Sequence, residues 1–190
     1  METLTRNSVL TMSIILEAGL LLIAAVWRFF ANIDLLAKFQ FQLNPVLLGA
    51  ALALASTGIS FLCLTLGKKI PGFAELRKMT EEFLTPLVAL LGIGDIVFLS
   101  ALSGFCEEVL FRGVLQAEFG IWTASLLFGI FHDPTFKQKG YIVLAALAGF
   151  AMGFLYDRSG NIWSCITAHA LHNLLAMISL RYFFKPSTSD

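Results

Sequence analysis

Six polar residues stand inside apolar stretches of this 190-residue sequence, and their types are those of acid-base chemistry. Glu107, Glu108 and Arg112 lie within residues 103–116, His132 ends a later apolar stretch, and His169 and Asn173 share the last one. A charge held at mid-membrane depth costs about 2.5–3.5 kcal/mol and is a functional-site candidate by default. On a helix, Glu108 and Arg112 are an i, i+4 pair with the acid N-terminal to the base, the favourable order for an ion pair. Glu107 then lies about 140° from Arg112 around the axis. The pair neutralises itself and fixes the helix, and Glu107 is left as the carboxylate free to exchange a proton. Two other uses of the three charges stay open, a polar knot that glues helices together and a proton or ion relay. His169 and Asn173 are also i, i+4 and share a face, with His172 beside them.

The elements that must position these residues are membrane helices. The chain is 57% hydrophobic with 18 Phe, only 14% charged, and has a mean hydropathy of +0.80. A soluble domain carries about a quarter charged residues. The zero net charge gives no footprint for nucleic acid. Cys63, Cys106 and Cys165 sit in apolar runs without paired spacing and read as inert buried thiols. Cys106, beside the two glutamates, is the one candidate for a thiol nucleophile.

In chain order, residues 8–30 are long enough to cross a bilayer and too long, without an Ala-x-Ala site, for a secretory signal. Glu17 on this span reads as a snorkelling or helix-pairing residue in preference to a catalytic one. A second span covers residues 44–66, where Gly49, Ala53 and Thr57 make a small-residue stripe for close helix contact. Residues 73–83 form an interfacial amphipathic helix with Phe73, Leu76, Met79 and Phe83 on its apolar side. Lys68, Lys69, Arg77 and Lys78 make this the most basic loop, which places it and the N-terminus in the cytoplasm. Residues 85–93 are half a span and 96–119 a full helix, with a single long kinked span as the alternative, and 121–131 are another short one. The short helix stops at His132-Asp133-Pro134, because the residue before proline is pushed out of the helical region. Residues 141–156 carry the stripe Ala145, Gly149 and Gly153, 157–161 are a turn, 162–184 the last span, and the tail from Lys185 is polar and disordered. The expected architecture is all-α: one membrane-embedded domain over 1–190, a polytopic bundle of about eight helices, six or so spanning and the rest half-membrane or interfacial.

The order Glu-Glu-x-x-x-Arg (107–112), Phe-x-x-x-His (128–132) and His-x-x-x-Asn (169–173) resembles the CAAX protease and bacteriocin-processing family of intramembrane endopeptidases, related to the type II CAAX prenyl endopeptidase. The resemblance covers about residues 96–178. It implies that Glu107 is the catalytic glutamate, acting with His132 on a water, that Glu108 and Arg112 support that helix, and that His169 and Asn173 stabilise the oxyanion. His172 matches no motif position. A carboxylate and a neutral imidazole within reach of one water can take its proton together, and donors aimed at a developing oxyanion are each worth about 2.7–4 kcal/mol. The implied mechanism uses no cofactor. The alternative puts zinc on Glu107, His132 and His169 with a fourth position open, although there is no His-Glu-x-x-His motif. The expected activity is hydrolysis of a peptide bond in a membrane-associated or exported polypeptide, near its C-terminus, in a prokaryotic inner membrane. The expected partners are that polypeptide and membrane lipid, without nucleic acid. Oligomeric state is not encoded in any motif. The competing classes are a non-catalytic scaffold or immunity protein and a proton or ion carrier, the latter lacking the inverted repeat common in transporters.

Overall fold

In lipid an extended backbone has no partner for its N–H and C=O groups, so long apolar runs satisfy themselves as helix. The computed structural model describes residues 4–67, 69–133 and 135–184, which leaves the polar tail and parts of the 67–72 and 132–134 turns outside the described residues. Among the described residues there are helices and turns and no strand. The helices are α1 (Arg6–Ala31), α2 (Leu43–Leu66), α3 (Pro71–Met79), α4 (Thr85–Ala89), α5 (Ile93–Glu108), α6 (Gln116–His132), α7 (Lys139–Ser159) and α8 (Trp163–Phe183). Two π-helical segments, Thr80–Leu84 and Val109–Leu115, join α3 to α4 and α5 to α6 without a break. The direction of the second rod changes at Gly120, whose φ of 78° is open to glycine and strained for other residues.

The count of spans is lower than the six expected. Four helices among the described residues are long and apolar enough to cross a membrane: α1, α2, the run Ile93–His132 and α7. α8 has the length, at 21 residues, but its apolarity is diluted by His169, His172 and Asn173. Large apolar side chains such as Ile15, Leu22, Leu48, Leu54, Trp122 and Leu147 face outward, which would be a liability in water and fits an integral membrane protein. Lipid gives no hydrophobic drive for helices to associate, so contact depends on small residues and hydrogen bonds.

α8 is the hub, packed against α2, α4, α5 and α7, while α6 pairs with α7 and α1 lies along α5 and its π extension. The ends of the bundle are tied by polar contacts. Arg6 donates to Asp95 through Nε at 2.7 Å and Nη2 at 2.6 Å, joining the starts of α1 and α5. At the other end, Asn161 Nδ2 donates to the Gln40 carbonyl at 2.6 Å and Trp163 Nε1 to the Phe39 carbonyl at 3.0 Å. Arg181 on α8 donates to the Leu91 carbonyl in the α4–α5 turn.

The expected stripes make the close contacts. Gly49 and Ala53 lie against α8, where a Cβ on Gly49 would sit 2.2 Å from the Ser164 carbonyl oxygen. Phe83 departs from expectation. It is 62% exposed, because the π turn accommodates more residues per turn than an α-helix and rotates Phe83 off the apolar face, where Leu84 packs instead.

Candidate active site

Gly104 sets the approach of α5 to α8. A Cβ there would lie 2.6 Å from the Ala170 backbone nitrogen and 2.7 Å from its Cβ, so the crossing admits only a hydrogen at this position. One turn later α5 presents Glu107 and Glu108, and opposite them Ala170 is preceded by His169. Glu108 is fully buried, and its Oε1 accepts from His169 Nδ1 at 2.8 Å. Its Oε2 stands 3.2 Å from Arg112 Nε. Arg112, also fully buried, reaches across to α7, donating from Nη2 to the Gly149 carbonyl at 3.0 Å. Its guanidinium lies 4.5 Å from the centroid of the Phe128 ring, a cation-π contact. Glu108 therefore does more than support its own helix: it joins Arg112 to His169 and orients the imidazole.

His132 is the last residue of α6. Its Nδ1 lies 2.8 Å from the Phe128 carbonyl, and since a carbonyl oxygen only accepts, Nδ1 is the donor and Nε2 is left open. His169 is fixed the same way by Glu108. The Phe128 ring is shared: its centroid is 4.5 Å from that of His132 and 5.5 Å from that of His169. Beyond His132 the chain is turned by Asp133, which accepts from the Thr135 hydroxyl, from Gln138 N at 2.6 Å and from Thr135 N at 3.1 Å. The Thr135 hydroxyl and these backbone amides hold the Asp133 carboxyl below the usual carboxylate range.

Glu107 meets these two rings. A carboxylate oxygen of Glu107 and one ring nitrogen each from His132 and His169 lie within 4.8 Å of one another. Glu107 and His169 are 7% and 4% exposed, and Glu107 Oε2 makes no hydrogen bond to any described residue. Helices α5, α6 and α8 thus each supply one group to a single buried point. The arrangement can hold a water between a carboxylate and an imidazole. It also has the donor set and outer hydrogen bonds of a metal site, where the ring nitrogen away from the ion donates to a carboxylate or carbonyl.

Asn173, one turn beyond His169, is on the same face, and its Nδ2 donates to Ser103 Oγ at 3.0 Å. That bond uses one of its two N–H groups. His172 turns away to α2, where its Nδ1 meets Ser56 Oγ at 3.0 Å and Thr57 Oγ1 at 3.1 Å. Cys106 is fully buried and is not among the converging groups. Glu17 corrects the snorkelling expectation: it is 5% exposed, in the interior of α1, and within electrostatic reach of Glu107 and His169. The hydrogen-bonding parts of Ser103, Ser56 and Thr57 are not legible in the sequence, because a hydroxyl on an apolar helix is common and bonds its own backbone. The position of Ser103, four residues before Glu107, was the available signal.

Residues 86–175 match the family model described as Type II CAAX prenyl endopeptidase Rce1-like. The chain is also 36% identical over 90 residues to an uncharacterized protein, YpbD, of Bacillus subtilis (strain 168), an alignment covering 47% of this chain and 48% of that protein. The chain thus aligns with about half the length of this curated relative. No solved structure matches it. The matched segment runs from α4 to within α8 and contains Glu107, Glu108, Arg112, His132, His169 and Asn173, so the similarity to the Rce1-like CAAX prenyl endopeptidase model covers every residue of the three motifs.

Proposed function

We propose that this chain is an intramembrane endopeptidase in which Glu107 and His132 activate a water against a peptide bond. Glu107 takes one proton from the water as its oxygen bonds to the carbonyl carbon, and the carbonyl electron pair moves onto oxygen. His132, through Nε2, orients the water. The oxyanion is met by the free N–H of Asn173 and by His169 Nε2 in the imidazolium form, beside the Glu108 carboxylate. With Glu107 and Glu108 ionised, Arg112 and that imidazolium balance their two charges. Re-forming the carbonyl breaks the C–N bond, and the proton held by Glu107 passes to the departing nitrogen. Water is the only co-reactant consumed. The observation that carries this reading is the meeting of Glu107, His132 and His169 within 4.8 Å from three helices at a buried point.

The same convergence, with both Nδ1 atoms bonded outward, favours one second reading. Glu107, His132 and His169 would hold a divalent zinc ion, which polarises water and carbonyl as a Lewis acid. That reading requires His169 neutral, because an imidazolium has no lone pair for a metal. Zinc at one equivalent in the purified protein, with activity lost to a chelator and regained with zinc, selects it. Activity in the chelator without bound metal selects the water mechanism.

The substrate class that fits a buried site between helices is the C-terminal region of a membrane-associated or exported polypeptide. On this reading the bundle lies in a prokaryotic inner membrane, with the start of α1 and the basic loop after α2 on the cytoplasmic side. The test compares peptide termini in membranes of cells carrying the wild-type protein or Glu107→Gln. Shortened polypeptides that vanish with the substitution establish the activity and identify the substrate. Equal profiles from equally folded proteins would leave a scaffold or immunity role, and dependence on an ion gradient would point to a carrier.

A further inference from the structure

α1 and α5 start side by side, pinned by the bidentate Arg6–Asp95 pair, and α1 continues along α5 and its π extension. Glu17 is eleven residues beyond Arg6, and Glu107 is twelve residues beyond Asp95. At 1.5 Å per residue these are about 16 Å and about 18 Å from the shared start, so the two acids reach the same depth. Leu20 and Ala24, the next residues on the Glu17 face of α1, are buried at 4% and 2% exposure, and they join the cluster that contains Val109, Phe111 and Phe128. The face that carries Glu17 is therefore the face turned to the site.

Glu17 has no ion-pair partner among the described residues. Its Oε2 is buried without a hydrogen bond, as is Oε2 of Glu107, and each acid is within electrostatic reach of the other. A buried polar atom without a partner is rare because it forfeits its hydration. Two such unpartnered oxygens within electrostatic reach of each other leave hydrogen-bonding capacity unused, and a water held in protein needs two to four polar partners. A leucine at position 17 would avoid the desolvation of a carboxyl group on an otherwise apolar helix, so the acid needs a use.

We infer that Glu17 is a positioning residue of the reaction: its carboxyl group fixes the water that Glu107 and His132 activate, from the α1 side of the pocket. This rests on the endopeptidase reading and extends the site beyond the family-matched segment to the first helix. Glu17 exchanges no proton with the peptide. The water's two O–H groups go to Glu107 and to the acceptor Nε2 of His132, so Glu17, as a neutral carboxyl group, donates the additional hydrogen bond to the water oxygen and holds it in line with the carbonyl carbon.

The test measures the rate at which Glu107-dependent shortened polypeptides form in membranes carrying wild type, Glu107→Gln, Glu17→Leu or Glu17→Gln, normalised to folded protein by thermal melting. Glu17→Leu, which packs but offers no hydrogen bond, is expected to slow product formation by about 10- to 100-fold without lowering the melting temperature. Glu17→Gln keeps the shape and a hydrogen-bonding end and is expected to recover most of the rate, a rescue that a packing role would not produce. With the substrate peptide identified, the loss falls on kcat and leaves KM in place. Should Glu17→Leu fail to fold, Glu17→Met, similar in length and without a hydrogen-bonding group of comparable strength, is measured instead. A wild-type rate in the folded Leu or Met variant, with Glu107→Gln silent, overturns the role of Glu17 alone. Products undiminished in Glu107→Gln overturn the endopeptidase reading itself.

Discussion

Replacing Arg112 by leucine is the sharpest test of how the buried charges are held. The side chain is 0% exposed and so is Glu108. The substitution removes the guanidinium 3.2 Å from Glu108, the hydrogen bond to the Gly149 carbonyl and the cation-π contact on Phe128. Breaking a buried pair by deleting one partner costs about 3–5 kcal/mol, because the other charge stays in place without compensation. The Gly149 carbonyl keeps its bond within α7, so loss of the Arg112 hydrogen bond adds only about 0.5–1.5 kcal/mol, and two effects offset it. Leucine fills part of the space, and Glu108 keeps its bond from His169 at 2.8 Å. A net loss of about 3–5 kcal/mol corresponds to a fall in melting temperature of about 6–20 °C for a chain of this length. Thermal unfolding in detergent reads it directly, and a companion Arg112→Leu, Glu108→Gln double variant removes the stranded charge. That double variant is expected to lose less than the sum of its two single losses. A wild-type melting curve for Arg112→Leu would refute the reasoning, since it would mean that Glu108 bears no buried charge or that Arg112 does not balance it.

The other expectations concern geometry. Asn173→Ala, which removes the proposed oxyanion donor, should lower turnover of a substrate found by the membrane comparison by about 10²–10³-fold, and a change confined to KM would remove Asn173 from that role. Gly104→Ala pushes a methyl group into the Ala170 backbone, 2.6 Å away. Melting should show a loss of about 1–3 kcal/mol from overpacking, accompanied by reduced activity as α5 and α8 separate. An unchanged melting temperature would show that the crossing has slack.

Most of the helices and the motif residues were legible in the sequence, for definite reasons. A polar residue in an apolar run is conspicuous, and i, i+4 spacing tells which neighbours share a face, as it did for Glu108 with Arg112. The glycine stripes on α2 and α7 were visible because small residues at four-residue intervals have few other uses. What was hidden depends on other helices. Gly104 stands alone, so nothing before Glu107 announced the crossing that sets the site. The bond from His169 to Glu108 joins residues 61 positions apart, and no local spacing encodes it. Glu17 looked like an isolated charge near a polar flank until α1 and α5 were seen to begin at a common point. The π segments were also silent, since they follow from packing and not from a composition; that is why Phe83 was placed on the wrong face.

The π segment Val109–Leu115 has all seven of its residues buried and lies between Glu107 and His132. An α-helical residue advances the helix by about 100°, whereas a π turn spreads the same rotation over more residues. The distance from Glu107 to His132 is therefore kept in angle and not in residue number. Loss of one residue from this stretch would return it to α-helical winding with nearly the same total rotation and only a small rise lost, so α6 and its imidazole would keep their phase relative to α5 and its acids. Loss of a second residue, with no wide turn left to absorb it, would turn α6 by about 100°. The stretch therefore holds a spare residue that an α-helix in its place would lack, and its phase is as much a part of the site as the groups at its two ends.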